Sequence, residues 1–168
     1  MKTPPLRSWF KLVGVTGGHM PDNWVEEEAS LFDLMRFPKH RQPSNISNYE
    51  RLITYAVGKR KIFAAQRRAG AIRIQRPYGP PGSVTQRWPH EMEVETFAYV
   101  ANLRDAPEPS VEFMEKYRKQ FWNGSHWLIA DDEYGALEDA IIRAGSGVSV
   151  PPPPWVAPTE EQISNRAT

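Results

Sequence analysis

Glu91, Glu93 and Glu95 alternate along one strand-like run, so their carboxylates would share one face of a strand. Three carboxylates so placed could hold a divalent metal and hydrolyse a phosphodiester; they could equally be a solvent-facing row. The four histidines are His19, His40, His90 and His126, and none pairs with another at metal-ligating spacing. There is no H-E-x-x-H, no G-x-S-x-G elbow, no Walker loop and no G-x-G-x-x-G. Gly14-Val15-Thr16-Gly17-Gly18 follows a strand-like run but fits neither phosphate-binding glycine pattern. The chain has no cysteine, which excludes disulfides, thiolate zinc sites and a thiol nucleophile, and suits the cytoplasm. The expectation is therefore a non-enzymatic protein with no cofactor and no bound metal. A metal-dependent nuclease using Glu91, Glu93 and Glu95 is the alternative.

The charged residues point to a partner. Net charge is only +1, yet it is unevenly spread. The stretch Arg36 to Arg87 holds twelve Lys/Arg and one acid, Glu50, whereas Trp88 to Thr168 holds six basic and fourteen acidic residues. A basic middle third suits phosphate neutralisation and counterion release. The candidate phosphate contacts are Arg36, Lys39, Arg41, Lys59, Arg60, Arg67 and Arg68. Six tryptophans are present, and Trp24, Trp88, Trp122 and Trp127 fall near expected element ends, where aromatic faces could stack a splayed base. They could also fill a core. The expected partner is a nucleic acid, DNA or RNA. No membrane is implied, because no run approaches the roughly 18 apolar residues that a span needs. The proline-containing start, Met1 to Ser8, does not read as a secretory signal.

The elements that must position these residues can be read in order. Trp9 to Val15 is rich in aromatic and β-branched residues and reads as a strand. Asn23 with Glu26 has capping-box spacing, and Trp24, Leu31 and Met35 recur helically, which predicts an amphipathic helix or helical turn over 24–35. Leu52 to Val57 and Lys61 to Gln66 flank Gly58-Lys59-Arg60 as a β-hairpin with a basic tip, and Ala71 to Gln75 could add a strand. Glu91 to Val100 alternates cleanly as a strand. Ser110 caps a helix to Phe121, His126 to Ala130 reads as a short strand, and Asp131 or Asp132 caps a last helix through Ala144. Most links are too short for parallel crossovers. The expected architecture is α+β: a small mixed or antiparallel β-barrel with edge helices. The domain spans 9–144, and 145–168 is a Pro-rich, flexible tail that could serve as a docking peptide for another protein.

The order of residues resembles a known superfamily. The first strand, Asp22-Asn23-Trp24, the helical segment, Phe32 and the basic loop Arg36-Phe37-Pro38-Lys39-His40-Arg41 look like the opening of EVE domains. These belong with YTH and ASCH domains to the PUA-like superfamily. The hairpin around Tyr55 and Ile62-Phe63-Ala64-Ala65 is similar to that family's barrel hairpin. The run from Trp88-Pro89-His90 resembles a later strand, and Asn123 through Tyr134 resembles the closing segment. The resemblance covers roughly 9–144. It implies a PUA-like barrel whose aromatic cage takes a flipped, modified base. By position it assigns Asn23 and Phe32 to the cage, Phe32 standing where YTH relatives usually have Trp. Trp88 is the candidate second wall.

Overall fold

In the first strand, Ser8 to Val13, residues on both faces are buried, so this strand must be covered on each side and paired along each edge. The computed structural model describes residues 6–14, 20–38, 40–74 and 88–145. The Pro-rich stretch from 146, Lys39, His19 and residues 75–87 lie outside the described residues. Strand β1 (Ser8–Val13) pairs in parallel with β3 (Arg51–Ala56) and antiparallel with β6 (His126–Ile129). Beyond β3 come β4 (Lys61–Ile74), β5 (His90–Tyr99) and β2 (Leu34–Phe37), all antiparallel to their neighbours. The sheet order is β2-β5-β4-β3-β1-β6.

This mixed six-stranded sheet curls into a half-barrel. The register shifts between Thr54 and Tyr55, between Ala65 and Gln66, and between Arg68 and Ile72. Such irregularities bend and twist strands, which a long strand such as β4 needs in order to follow the curl. The sheet's edges meet through side chains. Phe37 of β2 stands edge-on to the His126 ring of β6 at 5.0 Å, and Lys11 Nζ of β1 lies 4.8 Å from the Phe37 ring centre. The tip of the β3–β4 hairpin requires left-handed backbone at Gly58 (φ 84°), which glycine adopts without steric cost, and at Arg60 (φ 60°).

Among the described residues, four α-helices accompany the sheet: α1 (Trp24–Glu27), α2 (Val111–Lys116), α3 (Arg118–Asn123) and α4 (Asp131–Ala144). Aromatic rings dominate the packing. Phe10 contacts Tyr55, Phe113, Phe121 and Trp127 with ring centres 4.9–5.7 Å apart, which ties β1 to α2, α3 and β6. Trp24 contacts Phe32, Phe63 and Tyr99, and its indole N–H donates to the Val100 carbonyl at 2.8 Å.

Three sequence expectations need correction. The helix expected over 24–35 ends at Glu27; a 3-10 turn (Ala29–Phe32) follows, and Leu34–Phe37 is strand β2. Met35 and Phe37 are buried while Leu34 and Arg36 are half-buried, and pairing with β5 satisfies a backbone that a short isolated helix could not hold. The helix after Ser110 breaks at Tyr117 into α2 and α3, which lets Phe113 and Phe121 both reach Phe10. Helix α4 is capped by neither Asp131 nor Asp132: Ala130 is the N-cap residue, and its N–H donates to the Glu133 carboxylate at 2.9 Å.

Candidate functional site

The seam of the half-barrel leaves a cavity of about 340 Å³ between β1 and β2. Lys11, Leu12, Val13 and Gly14 form one wall, and Met35 and Arg36 form the other. Glu28, Ser30 and Leu31 of the turn before β2 and Trp88 just before β5 complete it. Pro89 disfavours helical backbone at Trp88, which suits the approach to strand β5. The volume is at the small end of the roughly 300–1,000 Å³ typical of ligand sites.

Lys11 is the chemically distinctive residue of this cavity. It lies mid-strand in β1, opposite Thr54 on one side and His126 on the other, and is only 3% exposed. Its ammonium donates to the Leu12 carbonyl and sits against the Phe37 ring. Burial pushes its pKa down from 10.5 to about 7. The neighbouring His126 ring is pushed down to about 4, by burial first and then by the positive charges of Lys11 and Arg41. The imidazole is therefore neutral near pH 7. Its Nε2 lies 3.2 Å from the Asn45 side-chain oxygen, and its Nδ1 is buried with no hydrogen-bond partner among the described residues.

The residues singled out from sequence go to different places. Trp88 lines the cavity. Phe32 does not: its ring packs on Trp24 at 4.8 Å and on Tyr99 at 4.9 Å. Asn23 is exposed and donates to the Glu26 carboxylate at 2.9 Å, a local contact within the first turn of α1. The three cage candidates are thus not brought to one wall. Among the phosphate candidates, Arg36 lines the cavity while paired to Glu91 at 2.6 Å. Arg41 and Arg60 are exposed, and Lys59 pairs with Asp22 at 3.2 Å. Arg67 pairs with Glu95 at 2.7 Å. Arg68 is corrected to an inward-facing role. It is 7% exposed and donates to the carbonyls of Ile46 (2.6 Å) and Gly70 (2.9 Å), so its guanidinium is occupied by the fold.

The acidic row has an equally definite role. Glu91, Glu93 and Glu95 pair across the sheet with Arg36, Arg73 and Arg67 respectively. Each arginine holds one oxygen of its glutamate, which ties the three carboxylates to three separate cations. Among the described residues, no group of three His, Asp or Glu side chains is arranged to hold a metal ion. The one acid of the basic stretch, Glu50, is buried and accepts from Arg7, the Trp9 indole and the Ser47 N–H.

No family model and no curated protein matches this chain. Among the solved structures that resemble it are two from different organisms. The NMR structure of Rpa0253 from Rhodopseudomonas palustris has a TM-score of 0.45 at 9% identity and covers 86% of this chain and 97% of that one. A hypothetical protein from Leishmania major also has a TM-score of 0.45, at 10% identity, covering 79% of this chain and 92% of that one. Among the described residues, no helix is long and apolar enough to cross a membrane.

Sequence reasoning passed over Lys11. In the run Trp9-Phe10-Lys11-Leu12-Val13 a lone lysine reads as the solvent side of an amphipathic strand. The available signal was that nothing else in that run is charged: a strand buried on both faces leaves its one lysine inside.

Proposed function

We propose that this chain is a non-enzymatic nucleic-acid-binding module that takes one splayed base into the cavity between β1 and β2. The observation that carries the reading is the cavity's composition: Trp88 as an aromatic wall, Leu31 and Met35 as apolar lining, and Lys11 and Arg36 as cations. A base offers a π-face to the indole and polar edges to the cations, and its phosphates can reach exposed arginines such as Arg41 and Arg60. Unstacking a base costs a few kcal/mol, which aromatic stacking of roughly 1–3 kcal/mol partly offsets. A methylated base suits the same walls. A methyl group adds no hydrogen bond, so it is recognised by apolar and aromatic contact, here with Leu31, Met35 and Trp88. The PUA-like architecture suggested by the residue order fits this reading, with the cage built from Trp88 and the β1–β2 walls rather than from Asn23 and Phe32.

The test is a titration of short single-stranded DNA and RNA, with and without a methylated central base, against wild type and Trp88→Ala. The variant is expected to lose about 1–3 kcal/mol of affinity for the preferred oligonucleotide. Its melting temperature is expected to stay close to that of wild type. Equal affinity of wild type and variant for every oligonucleotide would remove Trp88 from the site, and no binding by wild type would overturn the reading.

A further inference from the structure

Most residues that line the cavity are accounted for by the fold; Lys11 is not. An ammonium carries three donors and no acceptor. For Lys11, among the described residues, the only hydrogen bond is to the Leu12 carbonyl, and no carboxylate lies within ion-pairing distance. A lysine that is 3% exposed, lines a cavity and keeps unused donors is a costly arrangement for stability alone. A methionine of similar length would fill the same space against Phe37 without that cost. The charged and titratable groups around it do not supply an acceptor. His126 faces Lys11 from β6, and Arg41 adds a second positive charge to the same environment. Arg36 faces the cavity from β2 but is held by Glu91, and Glu28 lines the cavity from the turn before β2, beyond ion-pair reach.

Resting on the reading above, we infer that Lys11 selects the base, by donating to a carbonyl oxygen that the bound base turns inward. The site then takes an oxo base (uracil, thymine or guanine type) and disfavours a base that turns an exocyclic amino group inward. An amino group would put a donor against a donor and leave the ammonium without an acceptor in a dry site. A hydrogen bond from a charged donor corresponds to a preference of at least about tenfold. The oxygen also stabilises the protonated amine, so binding takes up a proton where the unbound lysine is largely neutral. Affinity for an oxo base is therefore expected to fall as the pH rises above about 7.

The experiment measures dissociation constants of wild type and Lys11→Met for single-stranded hexanucleotides of DNA and RNA at pH 6 and pH 8.5. The central residue is thymine or uracil, guanine, adenine or cytosine. In parallel, the titration of the Lys11 ε-methylene is followed by NMR in wild type, alone and with free thymidine or deoxyadenosine. The expected result is at least tenfold preference for the oxo bases in wild type, weakening toward pH 8.5. In Lys11→Met both the preference and the pH dependence are expected to vanish, while the melting temperature is unchanged or raised. Thymidine, but not deoxyadenosine, is expected to raise the Lys11 titration. Oligonucleotide binding whose base preference and pH dependence survive in Lys11→Met overturns the inference and leaves the binding reading standing. No oligonucleotide binding with a thymidine-shifted Lys11 does the reverse. No binding and no shift overturns both. If Lys11→Met fails to fold, the wild-type pH dependence together with the NMR titration decides, and an unshifted Lys11 overturns the inference.

Discussion

Arg60 and Arg68 are the same residue type, eight positions apart in the same basic stretch, and the fold uses them in opposite ways. Arg60 is exposed at the hairpin tip, whereas Arg68 is buried and supplies donors to two carbonyls. Burial lowers the Arg68 pKa, partly offset by the nearby negative charge of Glu50. The turn residues Gly58-Lys59-Arg60 mark Arg60 as part of a tip, but nothing in the local sequence marks Arg68 as buried. Arg68 shares a strand face with the buried Ala64 and Gln66, so the alternation of β4 carries it inward while Arg67 stays on the other face. The two arginines should therefore answer differently to the same substitution. Arg68→Met leaves buried carbonyls without donors and is expected to cost about 1–3 kcal/mol of stability in urea denaturation. Arg60→Met is expected to stay within about 0.5 kcal/mol of wild type. Equal losses would mean that the inward placement of Arg68 is wrong.

At the scale of elements, helices α2 and α4 are joined by one carboxylate. Glu133 accepts from the Tyr117 hydroxyl at 2.5 Å, the Lys116 ammonium at 3.0 Å and the Ala130 N–H at 2.9 Å. Desolvation pushes this carboxyl up, but the hydrogen bonds from Tyr117, Ala130 and Lys116 together outweigh it and hold its pKa below the ordinary 4.5. A carboxyl lowered in the folded state stabilises the fold above its unfolded pKa, and that contribution is lost as the pH falls through the folded value. Glu133→Gln is therefore expected to be less stable than wild type at pH 7, with the gap closing toward pH 3 in urea denaturation at stepped pH. A gap that stays constant with pH would mean that the charge plays no part. The sequence showed this corner only in outline. Ser110 does accept from the Phe113 N–H at 3.1 Å, as a capping serine should. The link from Tyr117 and Lys116 to Glu133 was not visible, because Glu133 stands on a different helix.

The whole molecule redistributes its charge. The basic stretch and the acidic stretch that follows it fold as neighbouring strands, so Arg67 and Arg73 meet Glu95 and Glu93 between β4 and β5, and Arg36 meets Glu91 between β2 and β5. A segment net charge of +11 therefore does not become an equally positive face. If about three phosphates of a single strand are neutralised, the logarithm of the association constant should fall against the logarithm of salt with a slope of about −2. Tryptophan fluorescence titrations between 50 and 300 mM salt, as a rough working range, would measure it. A slope near zero would remove the electrostatic part of the proposed binding. A slope steeper than about −5 would require the paired arginines to leave their carboxylates for phosphates.

By itself the sequence determined the element types where local patterning and burial agree. Strand β1, the hairpin of β3 and β4, the alternating β5, the short β6 and the final helix all lie where periodicity and turn residues put them, because each pattern reports a face that must be buried. It also determined that several tryptophans would fall near element ends, Trp88 just before β5 among them. Tertiary structure alone decided the rest. Leu34 to Phe37 became a strand because β5 offered it a paired edge, overriding a helical spacing of apolar residues. Glu91, Glu93 and Glu95 became ion-pair partners because their neighbours across the sheet are arginines far away in sequence. Lys11 became a buried residue lining a cavity because the sheet's two edges, β2 and β6, bring Phe37 and His126 together beside it. Side-chain periodicity tells which face of a strand a residue occupies; only the pairing and curl of the sheet decide what that face meets.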